Sequence, residues 1–143
     1  AVIALIHDVT IPTGIFAVLG NFGGIEVDTL FITALLTILG FSVHDTIVIF
    51  DRIRENLAKL KSPEPYETTV NRSVNETISR SINTSLTVLM VLLAIFLFGG
   101  ETTRFFAFAL IVGIIFGTYS SIFVASPLLV IWESTQRKKK AKK

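Results

Sequence analysis

The longest uncharged stretch of this sequence, Phe105–Trp132, runs for 28 residues, and it decides most of what the chain can fold into. A helix needs roughly 20 apolar residues to cross the hydrocarbon core of a bilayer, and there every backbone polar group must be satisfied within the segment. Three further windows are of the same kind. Ser81–Gly100 has 20 residues without a charge, Thr29–Phe50 is interrupted only by His44 and Asp45, and Ala1–Leu19 carries only His7 and Asp8, with Pro12 inside it. None alternates at period two, which disfavours a membrane β-barrel. The reading is an all-α membrane protein with four transmembrane helices, over about 1–20, 29–50, 80–99 and 105–132. A kink is predicted at Pro12.

Composition agrees: 51% of the residues are hydrophobic and only 17% charged, against about 25% charged in ordinary soluble domains. The net charge of +2 hides a segregation, because six of the thirteen Lys and Arg lie in the tail Arg137–Lys143. The remainder is net −4, so no nucleic-acid surface is expected. Arg52, Arg54, Lys59, Lys61, Arg72 and Arg80 fall between the second and third spans. With the tail, that places twelve of thirteen basic residues on one side, which the positive-inside rule makes cytoplasmic. Both ends of the chain are then expected in the cytoplasm, with Trp132 at the interface before a basic tail at 133–143. The chain opens inside an apolar run with neither Met nor a basic n-region, and is read as part of a longer protein rather than as a secretory signal. Absence of cysteine excludes disulfides and thiol chemistry.

The segment 51–79 is expected to be cytoplasmic and ordered. Ser62, before Pro63 and Glu64, reads as a helix N-cap with Pro in the first turn. Tyr66, Val70, Val74, Ile78 and Ile82 recur every four residues, the pattern of an amphipathic helix that leads into the third span. Three Asn-x-Ser/Thr triplets, at Asn71, Asn75 and Asn83, carry no weight as glycosylation sites in such a location.

Asp45 is the most informative residue. It sits six residues, about 9 Å of helix rise, inside the charged boundary at Asp51. An ionisable side chain at that depth is costly and points to function. Desolvation favours its protonated form and a nearby cation its charged form, and a carboxyl balanced between the two can load and release a proton. The alternative is a structural carboxylate that joins helices. Thr33, Thr37, Gly40 and His44 form a polar line that is expected to run with Asp45. Arg80 opens the third span and shares a face with Asn83, Thr84 and Thr87, so it is the expected partner of Asp45; the alternative is an arginine snorkelling to the headgroups. Asp8 is a weaker candidate for the same polar interior. So is His44, as a relay beside Asp45; His7 and Asp8, adjacent on a helix, point about 100° apart. Ala109, Gly113, Gly117, Ser121 and Ala125 are small residues at successive intervals of four, a ridge that permits close helix packing. No nucleophile–base set, metal cluster, phosphate loop or nucleotide fingerprint is present in the sequence. An enzyme is not expected, nor is a cofactor or a metal.

The stretch Gly40–Asn56 (GFSVHDTIVIFDRIREN) closely resembles the fourth-helix signature of the SecF branch of the SecD/SecF protein-export family. His7-Asp8-Val9, Leu97-Phe98-Gly99-Gly100 and Gly117–Ser126 (GTYSSIFVAS) resemble the same family in the same order. One position departs, since the family usually has Asn where this chain has His44. The resemblance implies the last four helices of a six-helix membrane domain of the resistance–nodulation–division type. It also implies work beside the SecYEG channel with SecD as partner, on preproteins handled by a periplasmic domain outside these residues, in a bacterial or archaeal cytoplasmic membrane. Asp45 and Arg80 match family positions implicated in proton movement. Two other readings are a small-molecule or lipid exporter of the same superfamily and a structural membrane scaffold.

Overall fold

The computed structural model describes residues 1–23, 28–60 and 64–140, and they form helices only. These are α1 (Val2–Gly23), α2 (Thr29–Lys59), α3 (Tyr66–Phe98), α4 (Glu101–Ser120) and α5 (Ser126–Lys140), with a π-helical turn at Ser121–Ala125 joining the last two. Four helices are long and apolar enough to cross a membrane, the fourth being α4, the π turn and α5 end to end. Large apolar side chains such as Ile6, Val18, Leu36, Met90 and Ile115 are exposed, as a chain solvated by lipid rather than water allows. The fold is thus an all-helical, multi-pass membrane protein.

Local chemistry explains the helix ends. Asp28 caps α2, its Oδ1 accepting from the Phe31 amide at 3.0 Å, which satisfies one of the orphan donors of the first turn. The expected cap Ser62 and its neighbour Pro63 lie outside the described residues; α3 starts at Tyr66, directly after Pro65. The stretch 66–79 and the third span form one unbroken helix. Gly99 turns α3 into α4, where a Cβ would lie 2.3 Å from the Ile95 carbonyl oxygen, so only glycine fits. Pro12 is buried within α1; lacking an N–H, it leaves the Asp8 carbonyl without its helical donor.

The core has two apolar clusters. Phe16, Phe31, Ile38, Leu92, Leu110 and Ile114 belong to the one nearer the α1–α2 and α3–α4 connections. Ile49, Ile53, Val70 and Ile122 form the other, nearer the α2–α3 connection, with Tyr66, Val74 and Ile78 of the amphipathic stripe against it. Along α2, Ser42, Asp45 and Thr46 fall between Ile38 and Ile49, and all three are buried. A polar layer therefore separates the clusters. The helix α4 packs against α1, α2 and α3, and Ala109, Gly113, Gly117, Ser121 and Ala125 are all buried.

Candidate functional site

All four spans contribute hydroxyls or carboxylates to this layer. Asp45 is 8% exposed, and its Oδ1 accepts from the Ser81 hydroxyl at 2.6 Å. Its Oδ2 is buried with no hydrogen-bond partner among the described residues. Asp8, at 0% exposed, is bonded on both oxygens: Oδ2 accepts from Ser42 and, at 2.7 Å, from Ser120, while Oδ1 lies 3.0 Å from His7 Nδ1. The imidazole thus folds back onto its own neighbour, despite the 100° between their helix directions. Thr46 meets Ser121 at 2.9 Å and Ser85 meets Thr118 at 2.6 Å. The π turn fits this arrangement, since Ser120 and the adjacent Ser121 are both buried, one serving Asp8 on α1 and the other Thr46 on α2.

Two sequence expectations change. Thr33, Thr37, Gly40 and His44 are exposed, on a different face from Asp45. Their spacings of four, three and four lead to His44, and the next residue projects about 100° further round the helix. Thr33 and Thr37 donate to backbone carbonyls four residues back. Likewise Arg80, Asn83, Thr84 and Thr87 of α3 are exposed, and among the described residues Arg80 forms no ion pair with Asp45. Ser81, one position on, makes the contact instead. The inward polar face of α3 is Thr69, Ser73, Thr77, Ser81 and Ser85, all buried. That unbroken four-residue repeat of hydroxyls is legible in the sequence, on the face next to the one that Arg80 marks.

Arg80 lines a cleft of about 380 Å³ between α2 and α3 with Val48, Asp51, Arg52, Glu55, Glu76 and Thr77. A polar clamp holds the cleft's far end. Arg52 donates to Glu76 at 2.6 Å and to Glu55 at 2.7 Å, while the Asn56 amide donates to Ser73 and to Glu76, each at 2.9 Å. Glu55 and Glu76 lie on the charged parts of α2 and α3, outside the apolar windows Thr29–Phe50 and Ser81–Gly100. Hydrogen bonds from Asn56 and then Arg52 hold the Glu76 carboxyl below the usual glutamate range; Lys59 and then Arg52 do the same for Glu55. The folded clamp therefore binds fewer protons than the unfolded chain, and its stabilisation is complete above the ordinary glutamate value of about 4.3 and is lost as pH falls below it. Protection factors of the amides at the facing ends of α2 and α3, corrected for the pH dependence of intrinsic exchange, are expected to fall on acidification through that window. Unchanged protection would remove the clamp from the account.

Residues 1–135 match the family described as "Protein export membrane protein SecD/SecF, C-terminal". The chain is similar to the protein translocase subunit SecF of Thermobaculum terrenum, 58% identical over 134 residues, which are 94% of this chain and 42% of that protein. It is similar also to the protein translocase subunit SecF of a Synechocystis strain, 52% identical over 132 residues, 92% of this chain and 42% of that protein. A crystal structure of SecDF from Thermus thermophilus, described as a translocon-associated membrane protein, superimposes with a TM-score of 0.86 at 48% identity, over 94% of this chain and 18% of that one. SecDF in a super-membrane-facing form gives 0.80 at 45%, over 98% and 19%. The chain spans less than half the length of the relatives it matches.

Proposed function

The chain belongs to the SecD/SecF family of protein-export membrane proteins, and from that premise we propose that it is the C-terminal membrane portion of a SecF-type auxiliary subunit of preprotein translocation, coupled to the proton gradient. Its partners under this reading are SecD, the SecYEG channel and preproteins reached through a periplasmic domain outside these residues. Its setting is a bacterial or archaeal cytoplasmic membrane, with the basic tail and both ends of this segment on the cytoplasmic side.

The observation that supports the proton role is the asymmetry of Asp45, buried with Ser81 on one oxygen and, among the described residues, no hydrogen-bond partner on the other. A buried carboxylate held permanently ionised needs its lone pairs satisfied. Asp8 has both oxygens bonded, whereas Asp45, among the described residues, has one. Arg80 stands in the α2–α3 cleft one residue before Ser81, which bonds Asp45, so moving this cation towards or away from the carboxyl would alternate it between charged and neutral forms. Asp8 and His44 hold lesser parts in the proposal, Asp8 as a joint between α1, α2 and α4 and His44 as a titratable neighbour.

Complementation tests the assignment. The full-length protein, with its cognate SecD, is expected to restore secretion of a reporter preprotein in cells lacking the SecD–SecF pair. Failure to restore secretion, with drug or lipid efflux raised instead, would favour the exporter reading.

A further inference from the structure

We propose that the groove between the start of α1 and the later turns of α5, with the basic run that continues α5, binds one anionic glycerophospholipid of the leaflet that the tail meets. The groove shares no residue with the polar layer around Asp45, and the inference is independent of the proton role.

The groove has a volume of about 310 Å³, at the lower end of the range in which small ligands are held. Ile3 of α1, Phe50 of α2, and Leu128 and Trp132 of α5 supply apolar walls, while Thr135 and Gln136 stand at its polar end. Trp132 is exposed, as an aromatic at the height of the headgroups is. Thr135 donates to the Ile131 carbonyl at 2.9 Å, whereas Gln136 carries the amide donor that an ester carbonyl accepts from. One residue further on the basic run begins, and α5 continues as a helix to Lys140. Chemistry is therefore graded along α5, from hydrocarbon through a neutral donor to cations, over about 12 Å of rise between Leu128 and Gln136. A phospholipid read from acyl chain through ester to phosphate has the same order.

Charge decides which lipid. Three cations between the second and third spans are already engaged, Arg52 with Glu55 and Glu76, Lys59 with Glu55, and Arg72 with Glu64. The run after the groove is balanced differently, because from Glu133 to Lys143 the sequence sets one acid against six bases. A cluster of about four to eight Lys and Arg directly after a membrane span attracts anionic headgroups, and that attraction fades within a Debye length. A zwitterionic lipid fits the apolar walls equally well but brings no net charge to the basic end. The ligand is thus a phospholipid with a net negative headgroup, of the phosphatidylglycerol kind.

Photocrosslinking tests this in the full-length protein, reconstituted in vesicles of equal phosphatidylglycerol and phosphatidylcholine. A photoreactive benzoyl-phenylalanine replaces Thr135, and the mass of the adduct identifies what it captured. Phosphatidylglycerol adducts are expected to exceed phosphatidylcholine adducts by about fivefold, the selectivity that one Lys or Arg near the surface supplies. The same probe at Met90, exposed on α3, reads the bulk ratio near one. Arg137→Gln, combined with Lys→Gln at 138, 139, 140, 142 and 143, is expected to bring the Thr135 ratio down to the Met90 value. Salt at about 0.5 M is expected to do the same with the native tail, which keeps the test valid if the variant inserts poorly. Equal ratios at Thr135 and Met90 would mean a merely solvated tail and overturn the proposal. Capture of another segment of the protein itself, or of RNA or a second protein in membranes taken from cells, in place of lipid overturns it as well.

Discussion

Asp45→Asn in the full-length protein is expected to reduce gradient-driven export at least about tenfold, a barrier change of ~1.4 kcal/mol, while the protein still reaches the membrane. Asparagine keeps the shape and a carbonyl oxygen for the Ser81 hydroxyl, so the α2–α3 contact survives. What it removes is the ability to take up and release a proton. Its amide would place two donors where Oδ2 now lies without a hydrogen-bond partner among the described residues, and some loss of stability is expected from that alone. Export and melting temperature must therefore be measured together. Asp45→Glu, which retains a titrating carboxyl on a longer arm, is expected to fall between the two. Export at the wild-type rate in Asp45→Asn would rule out the proton role and leave the scaffold reading in its place.

The second large effect is expected at Gly113 rather than elsewhere on the small-residue ridge. A Cβ on Gly113 would lie 2.2 Å from Ile38 Cδ1 and 2.3 Å from its Cγ1, so the α2 side chain fills the space directly over the glycine. Ile38 is 1% exposed, within the larger core cluster, and has nowhere to retreat. Gly113→Ala is therefore expected to destabilise by about 1–3 kcal/mol, the usual cost of overpacking, despite the roughly 1 kcal/mol that alanine gains over glycine in a helix. Gly117 differs. A Cβ there stands 3.5 Å from Ser42 Cβ and 3.9 Å from Asp8 Oδ2, ordinary contact, so Gly117→Ala is expected to be near neutral, whereas Gly117→Leu would drive into the Asp8–Ser42 bond. Trimming the opposing side chain supplies the control: Gly113→Ala combined with Ile38→Ala should lose less than the sum of the single losses. Thermal unfolding in detergent reads all of these, and equal melting of Gly113→Ala and Gly117→Ala would refute the knob-over-glycine contact.

Much of this is legible in the sequence. Asp45 stands out because an ionisable group within an apolar span is costly and points to function. The Ala109–Ala125 ridge stands out because close helix approach demands small side chains at one spacing. The partner of Asp45 was harder to read. Arg80 attracts attention by charge, yet a helix turns 100° per residue, and one position separates an exposed arginine from the buried serine that makes the contact. The line from Thr33 to His44 lies on a different face from Asp45 for the same reason.

Four membrane-crossing helices, their order and the small-residue ridge follow from the sequence alone, because hydrocarbon imposes length, apolarity and internal hydrogen bonding on each segment separately. The sequence also determined that an acid lies inside the second span. Which groups face that acid was decided only by the tertiary structure. Rotation and register of one helix against another depend on summed packing across the bundle, here Ile38 seated over Gly113 and Ile49 beside Ile122. Those contacts turn Ser81 inward, and the π turn that presents Ser120 to α1 and Ser121 to α2 appears in no local propensity. Short polar side chains carry little signal in a sequence, and in a bilayer interior they acquire meaning from the partner that folding places opposite them.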